Sequence, residues 1–323
     1  MWVLFLPILL IFAIAIALLS IIMAITLKHR KRKFFGGLVA LVFLLASFFL
    51  NNYGEIFALH PLVEPIKECK QKPSLRIMAY NIWNRQKDDS FHELKMAEAL
   101  THSIDNLDVD VLILCELSMN DNSVIMEHFL KHYPHSSYEA SLRRRNMSTQ
   151  VFSLYPISDF KGLKFFKEDG TRSRSDSWLM TIATPQKDLN VVACHLASNS
   201  ALRERSTSRI YKALKNGYER RAVEANALRD SLDIIDAPVL VLGDFNDLSG
   251  SYVMEHIKGD DLADVWWEGG CGFGFTYDMH HLLLRLDHIL YSKKDFELRG
   301  VWVLSDWKYS DHYPIVADFE IKQ

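Results

Sequence analysis

Two long apolar runs open the chain. Residues 2–27 contain no charged side chain and are mostly Leu, Ile and Ala, and a second run covers residues 34–50. About 20 apolar residues suffice to cross the hydrocarbon core of a bilayer, so the second run stands at the short end of the spanning range. Beyond Asn51 and Asn52, the apolar residues Ile56, Phe57 and Leu59 extend its contact with the interface. After residue 73 the pattern changes to short apolar segments alternating with segments of three- and four-residue periodicity. Segments 75–80, 109–115, 189–194, 239–243, 286–291 and 314–319 are rich in Val, Ile and Leu and read as buried strands. Phe91, Leu94, Ala97, Leu100 and Ile104 mark one apolar helical face, and Ala222, Ala225, Leu228 and Leu232 mark another. Strands mixed with helices, with strands also adjacent near the C-terminus, predict an α/β sandwich.

A cleaved signal peptide explains the first run poorly. It lacks a basic n-region, it is too long, and no small-x-small site clearly ends it. Lys28, His29, Arg30, Lys31, Arg32 and Lys33 separate the two runs, and basic residues flanking spans stay on the cytoplasmic side. The expected organisation is two transmembrane helices within residues 1–50 joined by a basic cytoplasmic loop at 28–33. A juxtamembrane linker follows at 51–73, with Pro61, Pro65 and Pro73, and then a hydrolase-sized domain at 74–323. Both termini then lie outside, with the domain periplasmic or otherwise extracytoplasmic. If only one run spans, the domain moves to the cytoplasmic side.

Composition agrees with a folded chain: 49% of the 323 residues are hydrophobic and 24% charged. Residues 1–66 carry five Lys/Arg and two acids, so the overall charge of −3 leaves −6 on the remainder. An acidic domain is a poor general sheath for polyanions, although a local basic groove remains compatible with it. None of the four cysteines forms a C-x-x-C pair, which argues against a structural zinc site. Cys115 and Cys194 sit in apolar strand-like runs and read as small core residues.

The chemistry lies at the ends of the predicted strands. Asn81 follows the first, Glu116 the second and His195 the third. Asp244 and Asn246 leave the fourth together in Gly243-Asp-Phe-Asn-Asp247, the next contains Asp287 within Arg285-Leu-Asp-His288, and Ser310-Asp-His-Tyr-Pro314 precedes the last. Singly, each is an ordinary turn, cap or core residue. As an ordered set they closely resemble the endonuclease/exonuclease/phosphatase superfamily, over about residues 74–321. That resemblance implies a four-layer α/β/β/α sandwich of the deoxyribonuclease I-like type, here preceded by a transmembrane hairpin as in a membrane-anchored bacterial type.

It further implies a Mg²⁺-dependent phosphoester hydrolase, with Mn²⁺ or Ca²⁺ as alternatives. Glu116 is then a metal ligand, joined directly or through water by Asp311, since Mg²⁺ takes oxygen donors and keeps several waters. Asp287 orients His312, as a carboxylate fixes an imidazole tautomer in a catalytic triad. Asp244 orients the nucleophile, Asn246 donates to phosphoryl oxygens, His195 serves the phosphate or the leaving oxygen, and Asn81 positions the phosphate and Glu116. Tyr277, after Thr276, is a candidate for stacking on substrate or for the core. In many relatives a Ser-Arg-x-Pro corner follows the second strand. Here Ser153-Leu154-Tyr155-Pro156 puts leucine in the arginine's place, with Arg143, Arg144 and Arg145 as possible compensation.

Other features carry less. The basic residues of segment 202–221 read as the charged face of a long surface helix, or as a flap over an anionic substrate or membrane. Trp266-Trp267 and the glycines after them read as a strand end and a flexible loop, and His280-His281 lacks further ligands at suitable spacing. The expected partner is a phosphate ester: a lipid head group, nucleic acid or a small ester. No protein partner is implied. The competing reading is a non-catalytic phosphate- or nucleic-acid-binding module on the same fold. Such a module would be free to lose Glu116, Asp244, Asp311 or His312, and the chain has all four. A transporter fails because two spans leave no translocation path in a monomer.

Overall fold

The computed structural model describes residues 58–61, 74–82, 90–117, 123–142, 149–163, 165, 176–198, 206–236, 238–279 and 282–322. The predicted spans in residues 1–50, their basic loop, Arg143–145 and His280-His281 lie outside the described residues. Among those described, no helix is long and apolar enough to cross a membrane.

Two six-stranded sheets form the framework. The strands are β1 (Ala58–Leu59), β2 (Leu75–Asn81), β3 (Val111–Cys115), β4 (His135–Ser136), β5 (Gln150–Ser153), β6 (Ile157–Leu163), β7 (Asp176–Ala183) and β8 (Asp188–His195). After them come β9 (Val239–Asp244), β10 (Leu262–Asp264), β11 (Cys271–Gly272), β12 (Tyr277–Met279), β13 (Leu282–Leu284), β14 (Asp287–Ser292), β15 (Phe296–Val303) and β16 (Ile315–Ile321). The helices are α1 (Ser90–Asp105), α2 (Ser123–His132), α3 (Tyr138–Leu142), α4 (Thr207–Leu232), α5 (Tyr252–Lys258) and α6 (Val265–Gly269). One sheet runs β15-β16-β2-β3-β5-β4 and the other β10-β14-β9-β8-β7-β6.

Side chains alternate across each strand, and this alternation sorts them into three cores. Leu75, Ile77, Ala79, Val191, Ala193, Leu240 and Leu242 face inward between the sheets. Met78, Tyr80, Leu112 and Leu114 face outward and meet Ala97, Leu100 and Ile104 of α1 and Phe129 of α2. Val192, Cys194, Val241 and Leu290 face outward from the second sheet, onto Ala225, Leu228 and Leu232 of α4 and Val253, Met254 and Ile257 of α5. Strands buried on both faces lose the polar alternation of a half-exposed strand, which explains their near-continuous apolar runs. The layers are therefore helix, sheet, sheet, helix.

Two local readings change. Ala58 and Leu59, within the predicted linker, pair antiparallel with Gly272 and Cys271, and Ala58 joins the central core. Trp266-Trp267 is not a strand end but lies in α6. The Asp264 carboxylate caps that helix by accepting from the backbone N–H of both tryptophans, and Trp266 Nε1 donates to the Gly272 carbonyl. The helix read from apolar spacing at residue 222 and the surface helix read from the basic residues of 202–221 are one element, which begins at Thr207.

Candidate active site

Strand register brings the chemical residues onto one rim. In the second sheet, His195 pairs across from Asp244, and Asp244 across from Asp287, giving one row over three strands. In the first sheet, Asn81 pairs across from Cys115, whose successor is Glu116. The sheets meet where Asn81 Nδ2 donates to Asp244 Oδ2 at 2.9 Å and to Glu116 Oε1 at 3.2 Å. Below this junction the Cys115 thiol donates to the Cys194 carbonyl at 3.5 Å. Burial pushes the Cys115 thiol well up and the Cys194 thiol up to about 12. Both cysteines thus remain neutral packing groups.

Backbone conformation is unusual where the site needs it. Gly243 has φ +138°, and a Cβ there would lie 2.0 Å from the Cys194 carbonyl oxygen, so glycine allows β9 to approach β8. Glu116 and Asn246 both occupy the left-handed region, with φ 58° and 51°. Non-glycine residues held there cluster at functional sites.

Asp244 is the hub, at 1% exposure. Its Oδ1 accepts from the Asn246 backbone N–H at 2.8 Å and its Oδ2 from Asn246 Nδ2 at 3.2 Å. The Asn246 amide also donates to the Leu196 carbonyl at 3.0 Å. In this geometry Asn246 holds Asp244 in place. His195 Nε2 lies 3.6 Å from Glu116 Oε1 and 3.9 Å from Asp244 Oδ2, buried and without a hydrogen-bond partner.

On the other side of Asp244, His312 Nδ1 meets Asp287 Oδ2 at 2.8 Å, leaving Nε2 4.0 Å from Asp244 Oδ2. Burial works against a charged His312 ring, but Asp287, then Asp244 and Asp311, outweigh it and push the imidazole up to about 9. The Thr276 hydroxyl accepts from the backbone N–H of Leu286 and of Asp287 and so fixes the start of β14. Tyr277, 9% exposed, packs its ring edge-on against His312 with centroids 4.8 Å apart. That contact places it in the packed wall of the site.

Among the described residues, two groups of side chains are close enough to hold an ion: Glu116, His195 and Asp244, and Asp244, Asp287 and His312. The second is already committed to the Asp287–His312 hydrogen bond. The first offers two carboxylates and an orphaned imidazole nitrogen, and its oxygen donors suit a hard divalent cation. Asp311 lies outside both groups; its Oδ1 accepts from the Ser310 hydroxyl at 3.3 Å.

Several supporting residues had no sequence signal. Asp264 accepts twice from Arg285 Nη1 at 2.8 Å and faces His288 Nδ1 at 3.2 Å. Burial opposes its charge, yet Arg285 and His288 hold the carboxyl well below the usual range. Arg285 also donates to the Ser249 hydroxyl. Arg221 pairs with Asp247 at 2.8 Å, and Glu224 accepts from the Ala197 backbone N–H at 2.8 Å. These contacts fix the loops that follow His195 and Asp244. At the Ser153-Leu154 corner, the Ser153 hydroxyl accepts from the Tyr155 backbone N–H, and Leu154 packs toward the α1 and α2 core.

Residues 78–312 match the sequence model of the Endonuclease/Exonuclease/phosphatase family. No curated protein matches the chain. Among solved structures, the human Nocturnin catalytic domain with bound sulfate is similar at 16% identity and TM-score 0.55, over 78% of this chain and all of that one. An endonuclease/exonuclease/phosphatase family protein from Leptotrichia buccalis is similar at 17% identity and TM-score 0.53, over 76% and 99%. TDP2 from D. rerio, complexed with single-strand DNA product, aligns at 15% identity and TM-score 0.54, over 76% and 98%. At these identities the likeness is one of fold.

Proposed function

The chain belongs to the Endonuclease/Exonuclease/phosphatase family, and from that premise we propose that it is a membrane-anchored, Mg²⁺-dependent phosphoester hydrolase. One observation carries the reading: a carboxylate cluster suited to a cation and a carboxylate-oriented imidazole share Asp244 on a single rim. An in-line displacement at phosphorus uses both, one for charge on the phosphoryl oxygens and one for proton handling.

Glu116 is the metal ligand, and Asp311, outside the cluster, contributes through water. A divalent cation held there supplies Lewis-acid charge and a template for the phosphate. Asn81 holds Glu116 and Asp244 together, and Asp244, fixed by Asn246, orients the attacking water. His195 Nε2 donates to the phosphate or to the departing oxygen. His312, held by Asp287 and protonated at neutral pH, donates from Nε2 to a phosphoryl oxygen. A tether next to the bilayer favours a lipid head group or another substrate held near the membrane.

The test is a panel assay of the full chain in detergent with Mg²⁺, Mn²⁺, Ca²⁺ or chelator. The substrates are sphingomyelin, phosphatidylinositol, plasmid DNA, RNA and an aryl phosphodiester. Cation-dependent hydrolysis of at least one is expected. No turnover of any substrate with any cation would overturn the reading.

The two apolar runs and the basic stretch at 28–33 support a cytoplasmic loop and an extracytoplasmic catalytic domain. A reporter that is active only outside the cytoplasm, fused after Gln323, is expected to be active. A well-expressed but silent fusion would place the domain on the other side.

A further inference from the structure

The long helix α4 is anchored at only one end. Its 26 residues extend about 39 Å at 1.5 Å per residue. Buried side chains begin at Gly217 and continue through Arg221, Glu224, Ala225, Leu228, Arg229 and Leu232. Before Gly217, no residue of the helix is buried. The first ten residues thus form an arm roughly 15 Å long without a partner in the described chain.

The arm is not a uniformly solvated face. Tyr211, Leu214 and Tyr218 follow i, i+3, i+7 spacing, which aligns them on one side of the helix. They are 70%, 46% and 44% exposed. Lys215 borders this stripe and Lys212 lies further round on the same side, while Arg209 and Arg220 lie on the opposite face; Glu219, the one acid of residues 207–220, pairs with Lys215 at 3.6 Å. This local excess of positive charge sits in a stretch, residues 67–323, whose overall balance is −6. Tyrosine and leucine between basic residues are the composition of a helix lying in a membrane interface.

Topology directs the arm. β8 and β9 are parallel neighbours, so the helix joining them runs back along the sheet, and its start lies at the rim end where His195 and Asp244 sit. The helix is fastened there. Arg220 donates to the Ser198 carbonyl at 3.0 Å, Arg221 to the Ala197 carbonyl at 3.1 Å, and Glu224 accepts from the Ala197 N–H. The chain also enters from this side. β1 is antiparallel to β11, so toward lower numbers it heads the way β11 runs, to Phe273 and on to Thr276 beside Asp287. The two apolar runs precede that entry point.

We propose that residues 207–218 are a docking arm for an anionic phospholipid surface. Tyr211, Leu214 and Tyr218 enter the headgroup boundary, while Lys212 and Lys215 reach lipid phosphates. The docked arm holds the catalytic rim beside the bilayer surface. The inference rests on the anchored reading only in that a bilayer is at hand.

Hydrogen–deuterium exchange over 207–217 tests it, using the full chain in nanodiscs of phosphatidylcholine with or without phosphatidylglycerol. Each basic residue near an anionic surface strengthens attraction about fivefold, so two give a preference on the order of twenty-five-fold. Exchange in the arm is expected to slow by about tenfold or more in the anionic discs, and to recover at high salt. Lys212→Glu/Lys215→Glu and Tyr211→Ser/Leu214→Ser/Tyr218→Ser are each expected to abolish the difference. Both variants should keep normal hydrolysis of a soluble aryl phosphodiester. Equal exchange in both discs overturns the proposal, as does protection by a single-stranded oligonucleotide but not by anionic lipid. Loss of wild-type diester hydrolysis with arm protection intact would instead sink the hydrolase reading alone.

Discussion

Replacing His312 with alanine is expected to lower turnover on a phosphodiester by about 10²–10⁴-fold, the usual contribution of positioned proton transfer. The ring is the group best prepared for that task. Asp287 holds its Nδ1 at 2.8 Å, Tyr277 packs on its face, and Nε2 is left directed toward Asp244. With its value pushed up to about 9, the ring is an imidazolium at neutral pH and acts as a donor. A donor role predicts activity that falls as pH rises through the ring's own titration, whereas a base role predicts activity that rises there. The same shift has a stability signature. The ordinary imidazole value is 6.5, so the pairing stabilises the fold fully below that pH and the contribution is lost as pH rises through about 9. The stability gap between wild type and His312→Ala should therefore be widest in mild acid and shrink toward pH 9. NMR titration of the ring and denaturant melts across that window measure both effects. A ring that titrates at or below 6.5 in the cation-free protein would contradict the donor assignment.

The strands and their terminal polar residues were legible because the two features are physically joined. A strand buried on both faces must be continuously apolar, so the first polar residue after the run marks where the chain reaches the rim. Asn81, Glu116, His195 and Asp244 were visible for that reason, Asp287 instead opens its strand within Arg285-Leu-Asp-His288, and strand register brings them together. His312 was readable from its neighbours Asp311 and Pro314. Asp264, Arg221, Asp247 and Glu224 were not legible. They are buried charged groups paired or hydrogen-bonded to residues distant in sequence, and no local pattern distinguishes such a carboxylate from an exposed one. The first half of α4 was legible differently, as the charged face of a long surface helix, because it faces no core.

Glu116→Gln and Asp287→Asn, both nearly isosteric, should fail in different ways. Glutamine at 116 keeps the volume and an acceptor for Asn81 Nδ2 but removes the charge that attracts a cation. Half-saturating Mg²⁺ is expected to rise by at least about tenfold, since changes to groups that merely support a ligand already cost 10–100-fold. Activity should be recoverable in part at high Mg²⁺. Asparagine at 287 keeps the hydrogen-bonding reach to His312 Nδ1. It can donate there, however, which favours the tautomer with its proton on Nε2, and it no longer stabilises the charged ring. Turnover should fall by about 10²–10⁴-fold with the Mg²⁺ midpoint nearly unchanged. The structure motivates the split, because Glu116 belongs to the orphaned His195 group whereas Asp287 is occupied with an imidazole 2.8 Å away. Mg²⁺ titrations of initial rate for the two variants and wild type separate the outcomes. If Asp287→Asn moved the Mg²⁺ midpoint as far as Glu116→Gln does, Asp287 would be a ligand and the ion would belong to the second group. If both variants kept wild-type turnover and midpoint, the reaction would have to occur elsewhere on the chain.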